Sequence, residues 1–243
     1  MSPISQRLDH PGIYANCVED IDLVASVILS YDSNDLDMIQ NYQYERTMSL
    51  NKPIKFGFVR GPVWNFGDED MKHGIEEFVK NAQLDIEELD LGKDFDDAAK
   101  AHEIIMNGSI ANSLMNYYQT DKSNLHPFTV KRIEAGIPVS ASDYVSAIEQ
   151  AKKMEQILKQ FFKKYDAIIT PAAPGQAPRD LMNTGNAIFN GYWTMMGVPA
   201  ISLPFLKGKD DLPIGIQFIT NWSEDLKLLE ICKYILEKEK LAN

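Results

Sequence analysis

The 243-residue sequence has few cysteines and no long apolar run. Its two cysteines, Cys17 and Cys232, are too few and too far apart for a disulfide scaffold or a cysteine-based metal site. Both lie among periodically spaced apolar residues, so we expect buried free thiols and, most simply, a cytoplasmic protein. No apolar run approaches the ~18 residues of a transmembrane helix, and the first residues lack a signal-peptide pattern. The sequence therefore predicts no association with a membrane.

Positive charge is also scarce, since 24 lysines and arginines stand against 35 acidic residues and leave a net charge of −11. This balance argues against nucleic acid and against anionic membrane surfaces as partners. Residues 61–67 lack the Gly-Lys-Ser/Thr ending of a phosphate loop. The four histidines share no metal-ligand spacing, and none adjoins a candidate nucleophile: His10, His73, His102 and His126. We therefore expect no metal ion and no cofactor.

The middle of the chain alternates strand patterns with helix patterns. Residues 54–60 alternate as a strand does, residues 68–81 begin with three acids as a helix does, and residues 84–91 form a second strand pattern. Such a strand–helix–strand unit predicts two parallel strands joined by a right-handed crossover. Further helices are predicted over residues 18–30, over 95–119, and after a capping box formed by Ser140 and Asp143.

The C-terminal third contains three short apolar runs that are separated by proline-rich turns. The runs are Ala167–Ile169, Ala200–Leu203 and Ile214–Ile219. Because strands that are apolar on both faces belong to a sheet covered by helices, we expect all three in the interior. A final amphipathic helix follows, and Ser223 is its expected cap. The sequence thus predicts a single α/β domain over residues 1–243, with a mixed, largely buried sheet flanked by helices.

The same region carries motifs of a known family. Residues 165–174 fit the pattern Y-D-x-(apolar)-T-P-x-x-P, residues 197–204 fit G-x-P-A-(apolar)-x-x-P, and residues 212–217 fit L-P-x-G-x-Q. With these three blocks in order, the chain resembles the C-terminal part of the amidase signature family. Residues 8–20 are similar to the family's L-D-x-x-G-x-x-A-R-x-V-x-D, although Asn16 stands where the family usually has arginine. The resemblance covers almost the whole chain but only about half of a family member.

The resemblance implies hydrolysis of carboxamide C–N bonds. Family members use a lysine, a cis-serine and a nucleophilic serine, and the two serines lie in a Gly/Ser-rich segment upstream of the L-D-x-x-G motif. Met1 lies only eight residues before Asp9, and no Gly-Gly-Ser-Ser-Gly run follows it. We therefore expect a domain truncated at its N-terminus that contains no catalytic residue and is inactive alone.

Six residues form the predicted substrate-binding set: Thr170, Pro171, Asn190, Trp193, Thr194 and Gln217. The first two end a predicted strand, and ligands of α/β sheets bind at the carboxyl ends of strands. Residues 190–194 lie on a helix entered through Gly185, and the resemblance places this region beside the substrate cleft. The alternatives are that Tyr192 and Trp193 only pack the core and that Gln217 makes a structural hydrogen bond.

Two functions follow from these patterns. The chain is either the C-terminal part of an amide-hydrolysing enzyme or a non-catalytic remnant that acts as a binding or structural module. In the first case its partner is a small-molecule amide, bound once an N-terminal half completes the fold. In both cases the uncovered sheet leaves strand edges unpaired, so we expect the isolated chain to self-associate or to be only marginally stable.

Overall fold

A computed structural model describes residues 4–34, 38, 44, 50 and 53–242, without the side chains of 240–242. Within these residues the strands are β1 (Lys55–Phe58), β2 (Asp85–Glu88), β3 (Ala167–Pro171), β4 (Ala200–Lys207) and β5 (Pro213–Ile219). The helices are α1 (Val18–Ile28), α2 (Glu69–Asn81), α3 (Ala98–Asp121), α4 (Pro127–Gly136), α5 (Ala141–Phe161), α6 (Ile188–Met196) and α7 (Asp225–Ala242).

The strands form one mixed sheet in the order β2-β1-β3-β5-β4. β1 pairs in parallel with both β2 and β3, whereas β5 runs antiparallel to β3 and β4. The predicted β1–α2–β2 unit is therefore confirmed. The prediction of a mixed α/β sheet with helices around it is confirmed as well. The parallel arrangement places the carboxyl ends of β1 and β3 at the same edge of the sheet.

Side-chain caps fix where two of the predicted helices begin. The Asp68 carboxylate accepts the backbone N–H of Met71 at 2.8 Å before α2, and the Ser140 hydroxyl accepts that of Asp143 at 3.0 Å before α5. The predicted cap of the final helix is wrong. α7 begins at Asp225, and Ser223 lies in the preceding turn with a φ of 61°.

Helix α4 has no counterpart among the predicted elements. It begins with Pro127, whose fixed φ and missing N–H suit the first position of a helix. Gly136 at its other end allows close packing on α3, because a Cβ there would lie 2.0 Å from the carbonyl oxygen of Asn107. Val130, Ile133 and Ile137 are spaced three and four residues apart, as on one face of a helix, so the sequence contained a signal for α4 that was not used.

The core is centred on β3, all of whose residues are buried. β4 is different, since Ala200, Ser202 and Pro204 are exposed and the strand lies at the edge of the sheet. The expectation that β4 is an interior strand is therefore wrong. An edge position accommodates Pro204, which has no N–H to donate to a neighbouring strand.

The two cysteines differ in environment. Cys232 on α7 is fully buried, as expected, but Cys17 before α1 is exposed, contrary to expectation. Among the residues that the structure describes, no helix is both long enough and apolar enough to cross a membrane.

Candidate active-site region

Thr170 on β3 and Gln217 on β5 form a directly opposed pair in the antiparallel ladder. Paired residues project from the same face of a sheet, so their side chains are neighbours. Their exposed fractions are only 0% and 5%. Nevertheless Thr170 Oγ1 and Gln217 Nε2 have no hydrogen-bond partner in the described part of the chain. Burying such a group without a partner costs about 1–3 kcal/mol.

Helix α6 adds two aromatic residues to this pair. The rings of Tyr192 and Trp193 lie with their centroids 4.8 Å apart, and both side chains are buried. Burial raises the pKa of the Tyr192 hydroxyl, whereas the side chains of Thr170 and Trp193 beside it act in the opposite direction. Neither Tyr192 Oη nor Trp193 Nε1 reaches hydrogen-bond geometry with any described residue. The tyrosine is therefore protonated at neutral pH.

Gly61 lets the Tyr192 hydroxyl approach the end of β1. Its φ is +75°, and a Cβ at this position would lie 2.6 Å from Tyr192 Oη. Glycine is the residue that adopts such a backbone conformation at little cost, and it leaves room for the hydroxyl. In the sequence Gly61 indicates only the end of a strand, because the tyrosine that it faces is more than a hundred residues away.

His102 on α3 is a further neighbour of α6 that the sequence did not indicate. A Cβ on Gly191 would lie 2.7 Å from His102 Nδ1, so the imidazole lies directly against the helix backbone. Burial lowers the pKa of His102, the positive charge of Arg132 lowers it further, and Glu103 opposes both. The imidazole is therefore neutral at neutral pH. No sequence motif links His102 to α6, so only the packing of the two helices shows the contact.

The structure brings Thr170, Gln217 and Trp193 together through Tyr192. We call these four residues the polar cluster. Asn190 is half-buried on the same helix, and its Oδ1 also lacks a partner among the described residues. Pro171 is the buried last residue of β3, opposite Ile216. Thr194 is half-buried, and the structure describes no hydrogen bond between its side chain and the other predicted residues.

The polar cluster is uncharged and rich in donors. The two hydroxyls, the indole N–H and the amide nitrogen can each donate a hydrogen bond, and the nearby Asn190 Oδ1 can accept one. Such a set can bind the acceptor atoms of a polar group, for example the carbonyl oxygen of a carboxamide. Within residues 4–34 and 53–242 no three His, Cys, Asp or Glu side chains are arranged to hold a metal ion.

Comparison with known proteins shows the family to which this chain belongs. The model of the Amidase family matches residues 1–229. A glutamyl-tRNA(Gln) amidotransferase subunit from Agathobacter rectalis is 27% identical over 271 residues, covering 96% of this chain and 53% of the relative. The corresponding protein of Clostridium botulinum strain Hall is 28% identical over 257 residues, covering 90% of this chain and 52% of that relative. The chain thus spans about half the length of the curated relatives that it matches.

Solved structures show the same fold at low sequence identity. An amidase crystal structure matches with a TM-score of 0.78 and 16% identity, over 94% of this chain and 52% of that one. A chain from a vestigial protein complex, described as revealing the evolutionary origins of an s-triazine catabolic enzyme, matches with a TM-score of 0.79 and 19% identity, over 95% of this chain and 54% of that one. The allophanate hydrolase of Kluyveromyces lactis matches with a TM-score of 0.80 and 17% identity, over 98% of this chain and 40% of that one. Since the family model covers nearly the whole chain, the chain belongs to the amidase signature family.

Proposed function

We propose that the chain is the C-terminal portion of an amidase signature enzyme that hydrolyses the C–N bond of carboxamides. In this proposal residues 1–243 form part of one amidase domain. They supply the sheet core and one wall of the substrate pocket. The nucleophile and its lysine base come from the half of the fold that the chain does not match.

The observation that carries the proposal is the polar cluster. Four buried polar atoms without partners in the described chain come from β3, β5 and α6, which are far apart in sequence. Most buried polar groups in native proteins are hydrogen-bonded, so four neighbouring exceptions need a physical reason. A substrate that supplies the missing acceptors gives that reason. Thr170 also lies next to the carboxyl end of β3, and ligands of α/β sheets bind at such strand ends.

The uncharged character of the cluster favours a small neutral amide as the substrate. The donors of Thr170, Tyr192, Trp193 and Gln217 are suited to bind a carbonyl oxygen and other acceptors, and Asn190 Oδ1 is suited to bind an amide N–H. Pro171 and Thr194 would shape the pocket without charge. The names of the relatives are consistent with action inside an assembly, because two of them are amidotransferase subunits.

A second function is favoured by the core. The described residues already build a continuous core from both faces of the sheet. This completeness supports a module that folds and acts by itself, as a non-catalytic remnant with a binding or structural role. The two proposals differ in whether completing the fold produces hydrolysis.

The test is to co-express the chain with the part of the Agathobacter rectalis relative that it does not match, and to measure ammonia release from a panel of amides. The chain alone should release none. In the completed enzyme, Thr170→Val and Gln217→Met should each raise KM about tenfold, because one substrate hydrogen bond is worth about 1–1.5 kcal/mol. Lys163→Ala, at an exposed position just after α5, is the control.

Two results would contradict the enzyme proposal. One is hydrolysis by the isolated chain that a single serine substitution within it abolishes. The other is equal KM values for the completed wild type and for all three variants, which would make the cluster part of the core only. A completed fold without any amidase activity would favour the non-catalytic module.

A further inference from the structure

A cavity of about 800 Å³ is formed by α3, α4, α5 and the segment that precedes α1. The described residues that line it include no member of the polar cluster. Pockets that bind small molecules usually have volumes of about 300–1,000 Å³, so this cavity has the size of a ligand site. The amide hydrolysis proposed above makes no use of it.

Close packing and a hydrogen bond hold the walls of this cavity in place. Gly136 lets α4 approach α3, and a Cβ on Gly108 of α3 would lie 3.0 Å from the Tyr144 ring on α5. The segment before α1 forms the third wall, because the Ser113 hydroxyl on α3 donates to the carbonyl oxygen of Ile4 at 2.8 Å. The cavity is therefore bounded by elements that are packed together without a ligand.

The lining of the cavity carries no charge. Sixteen described residues line it, and none of them is Asp, Glu, Lys, Arg or His. Charged residues make up 24% of the chain, so about four would be expected among sixteen residues drawn at random. An ion that left water for such a lining would lose its hydration without gaining a counter-charge, which is costly. The cavity therefore favours an uncharged ligand.

Hydroxyl groups of the lining can bind an acceptor atom. Ser109 Oγ and Tyr144 Oη lie 3.1 Å apart, so one of them donates to the other, and the accepting hydroxyl keeps a hydrogen that it can donate to a ligand. Ser5 is only 4% exposed, and its Oγ has no partner in the described part of the chain. Both positions suit a carbonyl or ether oxygen.

Apolar side chains lie at the opening of the cavity. Ile137 follows α4 and Val145 lies on α5, and these two lining residues are 53% and 54% exposed. A ligand with an apolar body would cover both and remove their surface from water, which is favourable. The lining thus combines hydroxyl donors with exposed apolar surface, a combination that suits an amphipathic molecule.

We propose that this cavity binds an uncharged amphipathic small molecule. Its acceptor atom bonds to the hydroxyls of the lining, and its apolar part covers Ile137 and Val145. A carbonyl or ether oxygen on an aliphatic or aromatic body has the required chemistry. The site is separate from the polar cluster and does not rest on the proposed hydrolysis.

The test titrates the chain with prodan, a neutral naphthalene ketone whose fluorescence shifts to shorter wavelength when it leaves water. Binding should saturate at one molecule per chain, and the anionic naphthalene sulfonate ANS should bind at least tenfold more weakly. Val145→Asp, which places a charge at the opening, should raise the Kd of prodan at least tenfold. The control is Val27→Asp, the same substitution at a 74% exposed position on α1.

A second pair of variants tests the hydroxyl groups. Tyr144→Phe keeps the ring and should raise the Kd of prodan about fivefold, because a hydrogen bond to the ligand is lost. Tyr118→Phe on α3 is its control, since the Tyr118 hydroxyl donates to Glu134 at 2.9 Å and does not line the cavity. Thermal melting shows which variants are folded, and the Tyr144 pair decides the matter if Val145→Asp does not fold.

The inference is overturned if prodan binds without saturation, if ANS binds as tightly, or if Tyr144→Phe and Val145→Asp bind prodan as well as their controls. It is also overturned if adding the unmatched part of the Agathobacter rectalis relative releases prodan, since the cavity then holds polypeptide. None of these measurements reads hydrolysis, so failure of the proposed enzyme activity would leave their outcome unchanged.

Discussion

Thr170 on β3 lies directly opposite Gln217 on β5, and each ends in a buried polar atom that has no partner in the described chain. Thr220 follows β5 and is equally buried, but its hydroxyl donates to the carbonyl oxygen of Glu224 at 3.2 Å. The two threonines thus share their burial and differ in whether the hydroxyl has a partner within the described chain. Under the proposed function Thr170 contributes to binding, whereas Thr220 contributes to structure.

We expect Thr170→Val to raise the free energy of unfolding of the isolated chain by about 1 kcal/mol, because valine has the same shape and removes an unsatisfied buried hydroxyl. Thr220→Val should lower it by about 1 kcal/mol, because a satisfied hydrogen bond is lost. Urea unfolding of the three proteins decides the matter. Destabilisation by both substitutions would mean that Thr170 is satisfied in solution.

Because Gly61 faces the Tyr192 hydroxyl, we expect substitutions at these two residues to have non-additive effects on stability. Gly61→Ala should destabilise the chain by more than Gly197→Ala, since both glycines have a positive φ, but a Cβ would lie 2.6 Å from the nearest atom at Gly61 and 3.7 Å from it at Gly197. The left-handed conformation of Gly197, with a φ of 68° and a ψ of 28°, costs an alanine roughly 1–2 kcal/mol. In a Tyr192→Phe background the extra cost at Gly61 should disappear, because the hydroxyl is gone. Equal costs of Gly61→Ala in both backgrounds would show that the hydroxyl does not occupy this place.

Glu87 lies on β2 at the edge of the sheet, and we expect its ion pairs to contribute to the free energy of unfolding in a pH-dependent way. Lys164 Nζ lies 2.6 Å from its Oε2, Lys55 Nζ lies 2.5 Å from its Oε1, and Tyr165 Oη donates at 3.0 Å. These partners, Lys164 first, lower the pKa of Glu87 from 4.5 to about 2. A carboxyl whose pKa is lowered by folding stabilises the protein above its unfolded pKa and loses this effect as the pH falls.

The stability difference between wild type and Glu87→Gln should therefore be full above pH 4.5 and shrink as the pH falls toward about 2. Urea midpoints measured across this range provide the check. Glu149→Gln, at an exposed position on α5, is the control. A difference that stays constant with pH would show that the ion pairs do not form in solution.

We expect His102 to make the stability of the chain depend on pH as well, in a range different from that of Glu87. Burial first and Arg132 second hold its pKa below the ordinary value of 6.5. The unfolded chain therefore binds this proton more readily, so stability is full above about pH 6.5 and declines as the pH falls through the folded pKa. His102→Gln should reduce the decline. An unchanged pH profile of the melting temperature in the variant would contradict the buried position against Gly191.

The element types could be predicted from the sequence because they depend on local patterns. The alternation over residues 54–60, the capping residues Asp68 and Ser140, and the prolines that end apolar runs act within one turn or one strand. The β1–α2–β2 unit followed from these patterns and from the handedness of crossovers. The family motifs, which are short and local as well, predicted the fold class correctly and indicated a candidate region for the site.

Three features depended on the tertiary structure: the strand order, the edge position of β4 and the exposure of one side of α1. An apolar run looks the same in the sequence whether it is covered on one face or on two, so β4 was predicted as an interior strand. Tyr192 meets Gly61 and Thr170, and His102 meets Gly191, only because helices and strands far apart in the chain pack together. The sequence by itself determined the strands, the helices other than α4, and the family to which the chain belongs. The packing alone decided which polar groups are buried together without partners, since burial is a property of the neighbours that surround a residue.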